Sequence, residues 1–545
     1  MSAIARLPRP LPAHFPRAAR RLACALCFLA FAAGASGATA GPATAHAQAG
    51  IEWFAGGVDE GFAQARERGR PLFLYWGAAW CPPCNEVKAT VFRRADFIER
   101  SRAFVAVEID GDAPQAQALA SRFHVAGYPT MILFSPSGEE LLRLGADTDP
   151  QVFLDALARG MEGGRSARAV LADTLAALGG TANARAPSPA DWALLANYDW
   201  DEQEGRMVGD DELPSVLLRL ARACPEGDLA DGDRLAFAAL AALPRLAGGP
   251  EPQARDWLLA RLRAILADGT RTRRVLFDND DDRVLETPER LLPPGIERRE
   301  LAGAWERAIA GVLAREPALF ASDRLYALRA RALLQRIERG APSAALAGEI
   351  EAEALRADRD NRDRYARASV LSAAGDALNE VGRFGLARRL LEKELAQSAS
   401  PYYVMMELAQ NARRSGDLPA AFAWYDKAAK SARGPATRLQ WAARYLVFVV
   451  QYGPGDRARV GDAAQLLAAE LPPGDAGYSG RNLSYLARAR RALASWDTGA
   501  ERDEVLAGAR ARIATTCGAL SKEDAAKACR DWLPQGPAAP PPAAG

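Results

Sequence analysis

Runs of β-branched and aromatic residues are concentrated in one stretch of this chain and mostly disappear beyond it, and that contrast decides most of its architecture. From Ile51 to about residue 162 such runs alternate with helical patterns. Asp59 stands where a helix cap belongs, and the pattern through Phe62 and Ala65 stops at Gly69 and Pro71. Leu72-Phe73-Leu74-Tyr75-Trp76 reads as a buried strand, and Cys84 to Phe92 as a helix. The residues from Phe104 to Ile109 predict a second strand and those from Pro114 to Phe123 a helix. Two further strands are expected from Met131 to Phe134 and from Glu140 to Leu144, and a closing helix from Gln151 to Ala158. Parallel, then antiparallel strands flanked by helices make a compact α/β domain over 51–162.

From about Ser166 alanine, leucine and arginine dominate, and loops are marked by clusters such as Gly248-Gly249-Pro250 and Pro293-Pro294-Gly295. This is an all-helical region. Over 166–360 it has no clean period. Over 361–532 a step of 34 residues relates Gly382 to Gly416, Ala387 to Ala421, Pro401 to Pro435 and Gly375 to Ala409. That step, and the unit Leu408, Ala409, Ala412, Ala421, Tyr425 and Ala428, resembles the tetratricopeptide repeat, a pair of antiparallel helices. A degenerate third unit starts near Trp441 and contains Ala463. An alanine-rich bundle with accidental spacing is the alternative. The resemblance implies a groove that binds peptides or proteins. The proline-rich tail, 533–545, cannot build a core.

Residues 1–49 read as a secretory signal peptide: a basic segment ending in Arg20 and Arg21, an apolar run from Leu22 to Ala33, then Ala-x-Ala sites at Ala45/Ala47 and Ala47/Ala49. A membrane anchor is the alternative, although the apolar run is short for spanning. No later stretch is long and apolar enough to span, so the expected product is soluble and periplasmic. Removing the segment leaves five cysteines and one histidine, His124. A histidine-dependent hydrolase or a histidine-based zinc site therefore has almost nothing to use, and neither metal nor cofactor is expected. Lys plus Arg number 69 and Asp plus Glu 68, which argues against a nucleic-acid partner.

The stretch Trp76-Gly77-Ala78-Ala79-Trp80-Cys81-Pro82-Pro83-Cys84, with a strand before it and a helix after it, resembles the active-site segment of the thioredoxin superfamily. Val125-Ala126-Gly127-Tyr128-Pro129-Thr130 is similar to that family's cis-proline loop. The flanking residues Asn85 to Phe92 look closest to its exported branch, which includes terminal domains of transmembrane thiol reductases. The resemblance implies a redox-active disulfide between Cys81 and Cys84, with Cys81 as nucleophile and Cys84 as resolving thiol. It also implies that Trp80, Tyr128 and Pro129 line the substrate. A helix N-terminus lowers a thiol's pKa through its dipole and free N–H groups. Two departures stand out. Tyr75 occupies the position where thioredoxins carry a buried aspartate, so Glu86, Glu108 or water must assist Cys84. Pro82 has no N–H to offer a thiolate, which predicts a more reducing couple than a Gly-Pro spacer.

Cys517 and Cys529 suit a structural disulfide in an exported chain, leaving Cys224 as a buried small hydrophobe. The acidic run from Asp278 to Asp282 lacks the glycine and terminal glutamate of a calcium loop and reads as solvated. His124 reads as a helix-end residue. The expected activity is thiol–disulfide exchange with a disulfide-containing protein, fed by an envelope thiol reductant, with a further protein partner in the helical groove. The rival is an envelope scaffold whose α/β domain only binds.

Overall fold

The computed structural model describes residues 50–534 except 114, 146–149, 202–205, 228, 247–248, 278–286 and 497–500. The segment expected to be a signal peptide, the acidic run and the tail beyond residue 534 lie outside the described residues. The described residues belong to one compact unit.

Its N-terminal part is built on a sheet in the order β2-β1-β3-β4. The strands are β1 (Leu72–Gly77), β2 (Val105–Asp110), β3 (Thr130–Phe134) and β4 (Glu140–Leu144). β1 is central, parallel to β2 with Leu72 opposite Val105, and antiparallel to β3 with Leu72 opposite Phe134. Every residue of β1 is buried, because helices cover both faces. Side chains alternate between them. Phe73, Tyr75, Met131 and Leu133 pack with Val87 of α2 (Pro82–Thr90), Phe97 of α3 (Ala95–Ser101) and Phe153 and Leu157 of α5 (Pro150–Gly163). Leu72, Leu74, Trp76 and Ile132 pack with α1 (Val58–Arg68) and α4 (Ala116–Phe123).

Two local expectations change. α1 begins two residues earlier than a cap at Asp59 allows: Gly57 is the cap, and its N–H donates to Glu60 Oε2 at 3.0 Å. Asp59 instead pairs with Arg122 at 2.6 Å. α3 had no predicted counterpart, since its cap is Arg94 with no capping side chain; burial of Phe97 holds it.

Beyond residue 166 the chain is helical. From residue 364 the helices come in pairs: Arg364–Glu380 with Phe384–Leu395, Pro401–Arg414 with Leu418–Ser431, and Pro435–Tyr452 with Arg457–Ala469; Gly480–Trp496 and Glu501–Gly518 then pack on Pro435–Tyr452 and Arg457–Ala469 respectively. The 34-residue step has a physical basis. Gly382 and Gly416, at φ 74° and 87°, close the turns within two successive pairs, a conformation that favours glycine. Pro401 and Pro435 open the next first helices, where their missing N–H costs nothing. Ala387 and Ala421 are fully buried where the helices meet. Among the described residues no helix is long and apolar enough to cross a membrane.

Candidate functional site

Cys81 is the N-cap of α2, and Pro82 and Pro83 fill the first two helical positions. The first backbone N–H available to it is therefore that of Cys84, which lies 3.2 Å from Cys81 Sγ. The two sulfurs are at disulfide distance, with Cα atoms 5.2 Å apart. Cys81 Sγ also lies 3.4 Å from the carbonyl oxygen of Tyr128, and the Tyr128–Pro129 peptide bond is cis. The strand β1 and the loop before β3 thus bring Cys81, Cys84, Tyr128 and Pro129 together. Trp80 tilts against Tyr128 with ring centroids 6.2 Å apart.

The helical region covers this face. Trp80 is 8% exposed, Cys81 3% and Cys84 0%. Trp80 Nε1 donates to Thr437 Oγ1 at 2.8 Å, and its ring meets Trp441 edge-on at 4.7 Å and stacks on Tyr403 at 6.0 Å. Asp112, just after β2, accepts from Thr437 N at 2.7 Å and Thr437 Oγ1 at 2.6 Å. Burial pushes the Asp112 carboxyl up despite those two bonds. Farther out, Arg93 pairs with Asp363 at 2.8 Å, Gly480 N donates to Ser121 Oγ at 2.8 Å, and Asn482 N donates to Gln117 Oε1 at 3.2 Å. The helical-region residues in these contacts lie on, or at the leading ends of, Arg364–Glu380, Pro401–Arg414, Pro435–Tyr452 and Gly480–Trp496, so these helices pack against the chain's own α/β domain.

Both candidate carboxylates have other partners. Glu86 faces the helical region, accepting from Ser322 Oγ at 2.9 Å and from Ser369 Oγ, and burial pushes its carboxyl up. Glu108 pairs with Lys88 at 3.0 Å. Tyr75 is fully buried, its phenol is pushed well up by burial, and its hydroxyl has no hydrogen-bond partner among the described residues. Beside Tyr403, Glu407 accepts from Ser372 Oγ, and burial pushes its carboxyl up to about 8.

Sequence reasoning missed Asp112, Tyr403, Thr437 and Trp441. In the sequence Trp441 signals only a repeat boundary, and the other three carry no local signal, because their role comes from packing across more than 300 residues of chain. Cys517 and Cys529 are bonded to each other between the last two helices, with Cα atoms 5.6 Å apart. Cys224 is buried at the end of the helix Leu213–Ala223, and His124 ends α4 at φ 51°. Among the described residues no group of His, Cys, Asp and Glu could hold a metal ion.

A family model described as a thioredoxin-like domain matches residues 58–160. A thiol:disulfide interchange protein DsbD 1 of Pseudomonas aeruginosa is 29% identical over 85 residues, 15% of this chain and 14% of that one. The DsbD of Ralstonia nicotianae is 31% identical over 111 residues, 19% of this chain and 18% of that one. The chain therefore spans less than a fifth of the length of these curated relatives. A solution structure of a thioredoxin from Thermus thermophilus is 28% identical, covering 21% of this chain and 90% of that one at a TM-score of 0.20. Residues 58–160 form a thioredoxin-like domain, and an all-helical region follows it.

Proposed function

We propose that this chain, with its thioredoxin-like domain at residues 58–160, is an exported thiol–disulfide oxidoreductase working through Cys81 and Cys84. The observation that carries this is the placement of Cys81 at the cap of α2, beside the Tyr128 carbonyl, with Cys84 one turn behind. In the reduced protein, the Cys81 thiolate attacks one sulfur of a substrate disulfide. That S–S bond breaks, and its leaving sulfur departs as a thiolate that takes a proton from water. The Cys84 thiolate then attacks Cys81, closing the protein disulfide and releasing the second substrate thiolate. Two electrons pass to the substrate, and a dithiol of the envelope must return them. The same steps reversed oxidise a dithiol.

The helical region, which we read as tetratricopeptide-like over 361–532, controls what reaches the pair. Its first helices lie over Trp80 and the cysteines, so a substrate has to be small or extended, or has to displace them. Periplasmic localisation and the roles of Trp80, Tyr128 and Pro129 in lining the substrate belong to the same reading. So does a structural role for Cys517–Cys529. The burial of both sulfurs favours one rival: a scaffold in which the domain is a fixed module with no turnover.

Single-turnover oxidation of the pre-reduced protein separates the two. The oxidoreductase reading expects a small disulfide to convert both thiols to a disulfide in the wild type and not in Cys81→Ser. Thiols that stay inert to every small disulfide would leave the scaffold.

A further inference from the structure

Next to the cis-proline loop lies a group of positive charges that nothing in the exchange reaction uses. Arg444 donates from Nε and Nη2 to the Tyr485 hydroxyl at 3.0 and 2.8 Å. Arg481 and Arg488 lie 5.8 and 5.0 Å from the same ring. None of the three has a carboxylate partner among the described residues. By contrast, Arg367 has both Asp358 and Glu394, and Asp233 holds both Arg261 and Arg271. Burial alone would push the Tyr485 phenol up, yet the arginines hold it below its ordinary value.

The position of the group ties it to the redox pair. Arg481 donates from Nη1 to the Ala126 carbonyl at 2.8 Å and lies 4.4 Å over the Tyr128 ring, whose own carbonyl neighbours Cys81 Sγ. Its Nε is buried without a hydrogen-bond partner. Arg444 lies 5.3 Å over Trp441, the ring that meets Trp80. Arg488 is exposed, so the group opens to solvent. Three unneutralised guanidiniums, partly shielded from water, favour a planar anion with two acceptor oxygens.

We propose that Arg444, Arg481 and Arg488 form an anion subsite on the rim of the Cys81–Cys84 pair, and that the disulfide reduced there carries a carboxylate beside its sulfurs. This rests on the oxidoreductase reading and names its substrate class. The carboxylate stays ionised and unreacted throughout. The substrate S–S bond breaks, the Cys81–Cys84 bond forms, and two electrons leave the protein.

The test is single-turnover oxidation of the pre-reduced full chain by three small disulfides: oxidised glutathione, which is acidic, bis(2-hydroxyethyl) disulfide, which is neutral, and cystamine, which is cationic. The second-order rate should favour glutathione disulfide over the neutral probe by about tenfold, the worth of one charge-assisted contact. Arg488→Gln, at an exposed position, and Arg481→Gln should each raise the half-saturating concentration of glutathione disulfide several-fold and erase most of the preference. Arg488→Lys should restore part of it. An unfolded peptide with glutamates flanking its cystine, if favoured as strongly, assigns the subsite to a polypeptide; if it is not, a low-mass disulfide is assigned. Equal rates for all three probes, or a preference that survives both glutamine variants, would overturn the subsite. Failure of every disulfide to oxidise the pair would instead overturn the oxidoreductase reading.

Discussion

Thr437→Val is the sharpest perturbation of the covered site. The valine keeps the shape of threonine and removes one hydroxyl. That hydroxyl accepts from Trp80 Nε1 at 2.8 Å and donates to Asp112 Oδ2 at 2.6 Å, so its loss strands a buried donor and half of a buried carboxylate's bonds. The second oxygen of Asp112 keeps its bond from Thr437 N. A buried polar group left unpaired costs about 1–3 kcal/mol, so the two together weaken the docking by about 3 kcal/mol. That multiplies an opening equilibrium by about 100-fold. If Cys81 is reached through such opening, the reduced protein should react with a polymer-conjugated maleimide about 100-fold faster in the variant, with a smaller gain for iodoacetamide. The control is Cys517→Ser/Cys529→Ser, which destabilises the chain at its other end. An unchanged rate in Thr437→Val would refute the reasoning, as would an equal gain in the control.

Three other outcomes follow from particular residues. Glu407 is held protonated up to about pH 8 by burial, whereas in the unfolded chain it titrates near 4.5. Its contribution is thus fully present below 4.5 and is lost as pH rises through 8, so Glu407→Gln should flatten the fall of Tm across that window. Pro82→Gly returns an N–H to the first turn of α2, close to Cys81 Sγ, and a redox titration should find its couple less reducing than the wild type. Removing the Cys517–Cys529 bond, which closes a separation of 12 residues, should cost about 3 kcal/mol in denaturant unfolding and leave oxidation of Cys81–Cys84 at its wild-type rate.

The fold of the first domain was legible because both sheet faces are covered, which makes the inner strands β1 and β3 nearly continuous apolar runs. The juxtaposition of Cys81–Cys84 with Tyr128-Pro129 was legible because both are short local motifs that β1 and β3 bring side by side. The helical pairs were legible where a turn glycine, an opening proline and a buried alanine recur together, as at Gly382, Pro401 and Ala387. α3 was not, since its short span carries only Phe97 as a core anchor. The covering of Trp80 was not legible either. Thr437 is an unremarked residue two positions after a proline, and it gains its role only from a surface more than 300 residues upstream. Tertiary packing of that kind leaves no period and no motif.

The central claim is that Cys81 exchanges disulfides from beneath its helical cover. The most direct measurement is intact-protein mass spectrometry of reduced Cys84→Ala after exposure to oxidised glutathione. The account predicts one glutathione adduct, located at Cys81 and absent from the Cys81→Ser/Cys84→Ala chain. A Cys84→Ala chain that stays unmodified while its unfolded form reacts would contradict it.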